Sequence, residues 1–72
     1  MYIHKEYYGL ADDGKPNYLV ECQRDDSEDQ PTDDSVEGHI IGGIDWNTTT
    51  GKVSAWSTTA GDWIEQFSTK DS

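Results

Sequence analysis

Cysteine and histidine are scarce in this chain, and Cys22, His4 and His39 are the only ones. A Cys22–His39 pair could in principle run thiolate chemistry. That chemistry needs a base within hydrogen-bond reach, a group that orients the base, and donors for a developing oxyanion. No motif in the sequence supplies the last two. Asp25, Ser27 and Asp29 have the alternating oxygen spacing of a calcium loop. An EF-hand loop also needs glycine near its sixth position and glutamate at its twelfth, where this chain has Gln30 and Val36. Gly42-Gly43 lies inside a strand pattern and lacks the Lys-Ser/Thr of a phosphate loop. One cysteine and two histidines fall short of a four-ligand structural zinc set. The expectation is a protein with no catalytic residues, no cofactor and no dedicated metal site, and so not an enzyme.

The tryptophans are the other chemically distinctive residues. Trp46, Trp56 and Trp63 fall one to a strand in the stretch Gly38–Phe67. Exposed indole rings can stack on a sugar, or anchor a protein interface, where Trp and Tyr are enriched. In a chain this short their first expected use is the core, since each large aromatic can bury roughly 150–250 Å². Trp46, Trp56 and Trp63, with Tyr7 and Tyr8, are the candidate partner-binding residues.

The elements that hold these residues read as strands. Tyr2–Gly9 alternates, with Tyr2, His4, Glu6 and Tyr8 on one face and Ile3, Lys5 and Tyr7 on the other. Residues 11–17 form a turn, in which Asp13-Gly14 supplies positive φ and Pro16 ends the pairing. Tyr18–Gln23 is a second strand, with Tyr18, Val20 and Cys22 on one side. Gly38–Trp46 sets Ile40, Gly42, Ile44 and Trp46 against Ile41, Gly43 and Asp45, and its Gly-Gly pair suggests a bulge or a close backbone approach. After the loop Asn47–Gly51, Lys52–Thr58 sets Val53 and Ala55 opposite Ser54 and Trp56. Trp63–Phe67 sets Trp63, Glu65 and Phe67 opposite Ile64. The predicted fold is all-β: a small antiparallel meander or partly open barrel of four to five short strands with an acidic loop. Residues 1–72 make one domain, with 24–37 an exposed acidic loop and 68–72 a flexible tail.

Charge separates the scaffold from that loop. The net charge of the chain is −10. Eight acids against Arg24 give residues 21–37 a net of −7, so most of the acidity is local. Asp25, Asp26, Glu28, Asp29, Asp33 and Asp34 form its centre, and they could mimic a phosphate backbone or only solvate the loop. No basic patch is available to release counterions from DNA or RNA, which argues against direct nucleic-acid binding. The start of the chain has no apolar leader segment, and no run has the length to span a bilayer, so neither secretion nor a membrane is expected. A 72-residue chain has a marginal core and usually needs a staple. With a single cysteine and no zinc set, contact with a partner is the remaining staple, either as a homo-oligomer or by docking on a larger protein.

The order of short motifs carries a resemblance. His4-Lys5-Glu6-Tyr7-Tyr8-Gly9-Leu10, Asp13-Gly14-Lys15-Pro16, Val36-Glu37-Gly38, Gly51-Lys52-Val53 and Gly61-Asp62-Trp63-Ile64-Glu65 follow one another along most of the chain. This order resembles that of small virion-associated structural proteins of bacteriophages and prophages of Gram-positive bacteria. The resemblance implies a compact β-meander without catalysis, serving as a capsid decoration, head-fibre or tail-associated component. It also implies contacts with other virion proteins, assembly in the bacterial cytoplasm and residence in the virion. Two readings from other classes stand beside it: an acidic inhibitor acting by nucleic-acid mimicry, and a carbohydrate-binding module that uses tryptophan.

Overall fold

Five strands and one helical turn make up the computed structural model, which describes residues 1–70. The strands are β1 (Tyr2–Leu10), β2 (Pro16–Arg24), β3 (His39–Asn47), β4 (Lys52–Ser57) and β5 (Asp62–Ser68), and the turn is α1 (Asp33–Val36). They form a single open sheet in the order β1-β2-β3-β4-β5. The all-β expectation holds, and β3, β4 and β5 form the antiparallel meander. The sheet as a whole is mixed, because β2 and β3 run parallel. Parallel neighbours need a crossover of about a dozen residues or more, and the acidic segment between Arg24 and His39 provides it.

The turns follow from their residues. Gly14 takes φ +84°, Ala11 N–H donates to the Lys15 carbonyl at 2.8 Å, and Asp13 Oδ1 accepts from the Lys15 amide at 2.9 Å. Pro16 does not end the pairing as expected. It opens β2 opposite Leu10, at a first-strand position where a missing N–H is tolerated. In the β3–β4 turn, Asn47 Oδ1 accepts from the amides of Thr49 and Thr50, at 3.0 and 3.2 Å. The tail is also held: Thr69 N–H donates to the Gly51 carbonyl at 2.6 Å and Lys70 Nζ to that of Thr49 at 3.0 Å. Of the predicted flexible tail, Asp71 and Ser72 lie outside the described residues.

Two bulges decide which side chains face inward. The β2–β3 register runs Tyr18↔Ile40 and then Leu19↔Gly42, so Ile41 is the extra residue. A one-residue insertion swaps every later side chain to the opposite face. Ile40 is therefore buried, while Ile44 and Trp46 emerge on the far side and Asp45 turns inward. This corrects the expected grouping of Ile40 with Ile44 and Trp46. A second bulge between Val53↔Phe67 and Ser54↔Glu65 leaves Gln66 extra and moves Phe67 off the face of Trp63.

The core lies between the sheet and the crossover. Val20, Val36, Ile40 and Trp63 are buried together, and Tyr18 and Trp56 pack against them. Trp56 and Trp63 are cross-strand partners that meet edge to face, with centroids 5.3 Å apart. The expectation that all three tryptophans supply the core holds for Trp63 and in part for Trp56, but not for Trp46.

The crossover carries more structure than an exposed loop. Arg24 belongs to β2, Pro31 and Val36 are buried, and residues 33–36 make a helical turn. Thr32 caps that turn through a capping box with Ser35, and Glu37 closes it in the left-handed region at φ +58°. Val36 drops from it into the core.

Candidate partner-binding face

The crossover covers the middle of one side of the sheet, where Ile3 and Tyr7 of β1 stay exposed, and the other side is open along its length. Register places two cross-strand rows on the open side. One runs Tyr2, Gln23, Trp46, Val53, Phe67; the next runs His4, Glu21, Ile44, Ala55, Ile64. Tyr2, Ile44, Trp46, Ile64 and Phe67 are exposed, between 37% and 63% of their full areas. A shallow groove of about 440 Å³ runs along this side, with Tyr2, Leu19, Glu21, Gln23, Ile44 and Trp46 among its walls. Scattered exposed apolar residues are ordinary, but a contiguous set on one face marks an interaction surface.

The five aromatic candidates do not form one patch. Trp46 lies on the open face. Trp56 and Trp63 lie on the covered face, where Trp63 Nε1 donates to the Pro31 carbonyl at 2.8 Å. Tyr7 packs edge to face on Tyr18 at 6.4 Å, and Tyr18 also takes Lys5 Nζ over its ring at 4.9 Å. Tyr8 is exposed at the β1–β2 irregularity. Sequence reasoning missed Tyr2, Ile44, Ile64 and Phe67 as members of the open face. The signal was present in the glycine pair before Ile44, since a bulge there reverses the alternation.

The acidic candidates divide between structural and solvent-facing roles. Asp25 accepts from the amide and hydroxyl of Ser27, which together hold its carboxyl below the usual carboxylate range. Asp26 Oδ1 accepts from Asn47 Nδ2 at 3.1 Å. Glu28 meets the Met1 amino group at 3.0 Å. Asp33 Oδ1 accepts the Ile40 amide at 2.9 Å, and its other oxygen lies 3.8 Å from His39 Nδ1. Asp29 and Asp34 face solvent. Among the described residues, no three His, Cys, Asp or Glu side chains converge as a metal set.

Below the crossover lies a buried ion pair. Arg24 Nε and Nη2 donate to the two oxygens of Asp45 at 2.8 and 2.9 Å, and Gln30 Nε2 donates to Asp45 Oδ2 at 3.0 Å. Arg24 Nη1 reaches the Glu28 carbonyl at 2.8 Å. Cys22 sits in register with Asp45, and burial first, then that carboxylate, pushes its thiol up to about 11. Such a thiol is a poor nucleophile. His39 is five pairing steps away on β3, in register with Asn17, and its Nε2 bonds Asp13 at 2.6 Å. At about 3.3 Å per residue the two are on the order of 16 Å apart, so the fold does not assemble a Cys22–His39 pair.

Compared with family models, characterised proteins and solved structures, the chain has no match.

Proposed function

We propose that this chain is an assembly protein that acts through protein–protein contacts and docks on its partner by the open face of its sheet. The carrying observation is the apolar β3–β5 part of the rows through Trp46 and Ile44, where Ile44, Trp46, Ile64 and Phe67 stay exposed while the crossover covers the middle of the opposite face. The motif order from His4 to Glu65 directs this reading to a virion structural role, as a capsid decoration, head-fibre or tail-associated component assembled in the host cytoplasm. A marginal core agrees with it, since a partner that covers the open face adds the burial that a short chain lacks.

The two other readings find less support. Four of the six central acids are engaged by this chain's own groups, which suits a scaffolded crossover better than a phosphate mimic. The tryptophans are split between two faces, so they do not stack as one platform for a sugar ring.

The test is particle incorporation. Particles released from cells carrying the gene are purified on a density gradient and analysed by quantitative mass spectrometry. The chain is expected at a fixed copy number per particle, and Trp46→Glu should be depleted at least tenfold. Wild-type chain that stays in the soluble fraction would overturn the virion role.

A further inference from the structure

We infer that the open face is covered by the same face of a second copy of this chain, giving a two-fold, sheet-on-sheet dimer. This rests on the docking reading above and names its partner.

The first argument is area. On the β3–β5 half, Ile44, Trp46, Ile64 and Phe67 leave on the order of 400 Å² of apolar surface, taking roughly 150–250 Å² for a whole aromatic. A standard interface buries about 800 Å² per partner, of which about 60% is apolar. That half therefore offers most of the apolar share of one standard interface. The molecule measures 43 × 23 × 16 Å, so its broadest side has room for the polar rim as well.

The second argument is charge. A chain at −10 repels its copies in most orientations. Of the crossover acids, Asp33 and Asp34 lie beside Trp56 and Trp63 on the far side of the sheet from the open face, while Asp25 and Glu28 sit at its end beside Tyr2 and Gln23. Within the two apolar rows, β3, β4 and β5 contribute Trp46, Val53, Phe67, Ile44, Ala55 and Ile64, with no ionisable group among them. The charged positions in register, Glu21 and Glu6, belong to β2 and β1, at one side of the face. Face-to-face stacking over the β3–β5 half puts uncharged surface on uncharged surface. It also holds Asp33 and Asp34 of the two copies apart on the outside, separated by both sheets and the roughly 10 Å between them, and leaves Asp25 and Glu28 beyond the stacked half, at the Tyr2 end. A partner for the β3–β5 half must be apolar and uncharged, and the chain's own β3–β5 half has those properties. A two-fold axis is the common way for one such patch to satisfy itself.

The experiment is sedimentation velocity of the full chain from about 1 μM to several hundred μM at physiological salt. Wild type should move from the 8.1 kDa monomer to a species of twice that mass as concentration rises. Trp46→Glu and Ile44→Lys should each weaken self-association at least tenfold with an unchanged circular dichroism spectrum, since both side chains are exposed in the single chain. Asp34→Lys, on the crossover, should leave the dimer intact. A wild-type monomer throughout the range, or a dimer indifferent to both face variants, overturns the inference. If wild type is monomeric but Trp46→Glu still abolishes particle incorporation, the homodimer fails and the docking reading stands.

Discussion

Arg24 grips both carboxylate oxygens of Asp45 across the β2–β3 step, and Gln30 of the crossover binds the same carboxylate. Asp45 is 1% exposed and Arg24 11%. The pair ties the acidic segment to the sheet from within, and it exists because the bulge at Ile41 turned position 45 inward. Buried pairs add little over a well-packed apolar pair, but breaking one strands a charge. Asp45→Ala should therefore cost about 3–5 kcal/mol in urea unfolding, a large part of the roughly 4–11 kcal/mol available to a chain of this length. The double change Arg24→Leu with Asp45→Leu should recover most of that loss. If the double variant is as unstable as the single one, desolvated charge is not the cause.

Gly43 is where β3 passes closest to β2. Its φ is +144°, and a Cβ there would lie 1.9 Å from the Val20 carbonyl oxygen and 2.9 Å from its nitrogen. Backbone cannot yield as a flexible side chain does, so Gly43→Ala should lose at least about 2–3 kcal/mol, combining strained backbone with a forced separation of the strands. Gly14→Ala is the control. It shares a positive φ but meets nothing within 4 Å, and it should cost about 1 kcal/mol. Equal midpoint shifts for the two would show that the close approach carries no energy.

Trp63 anchors the crossover through its indole N–H as well as its ring. Trp63→Phe keeps most of the apolar contact but leaves the Pro31 carbonyl without its donor, at a cost of about 1–3 kcal/mol. The readout is local as well as global: limited proteolysis should cut between residues 25 and 35 faster in the variant. Unchanged cleavage there would mean that the indole bond does not hold the segment down.

The strands themselves were legible, because alternation and turn residues mark them directly: Asp13-Gly14 and Asn47–Gly51 lie at turns, and of the turn read at Thr59-Ala60-Gly61-Asp62 all but Asp62, which opens β5, lie between β4 and β5. The face of each side chain was legible only up to the first bulge. Gly42-Gly43 marked the place, but nothing local says that Ile41 is the residue to be skipped, and one skipped residue sends Ile44, Trp46 and Asp45 the other way. Gln66 repeats the problem for Phe67. The parallel β2–β3 pairing escaped notice because it is made by contacts distant in sequence. The crossover was misjudged on composition, since an acidic average hid three specific devices: the Thr32–Ser35 cap, the Val36 anchor and the Arg24–Asp45 pair. The open face became visible only once the bulges had placed each residue.

Asp13 bridges the β1–β2 turn to the start of β3. The Lys15 amide and then His39 bond its carboxylate, and these hold it below its ordinary value of 3.8. A carboxyl lowered by folding contributes stability that is fully present above its unfolded value. That contribution is lost as pH falls through the lower folded value. Asp13→Asn should thus be less stable than wild type at pH 5 to 6, and the two unfolding curves should converge as pH drops below about 3.8. The group is fully exposed, so the difference will be small and should shrink in high salt as the Asp13–His39 contact is screened. Chemical denaturation of both proteins over a pH series provides the measurement. A gap that persists unchanged below pH 3 would assign the effect of the substitution to turn geometry rather than to the charge on Asp13.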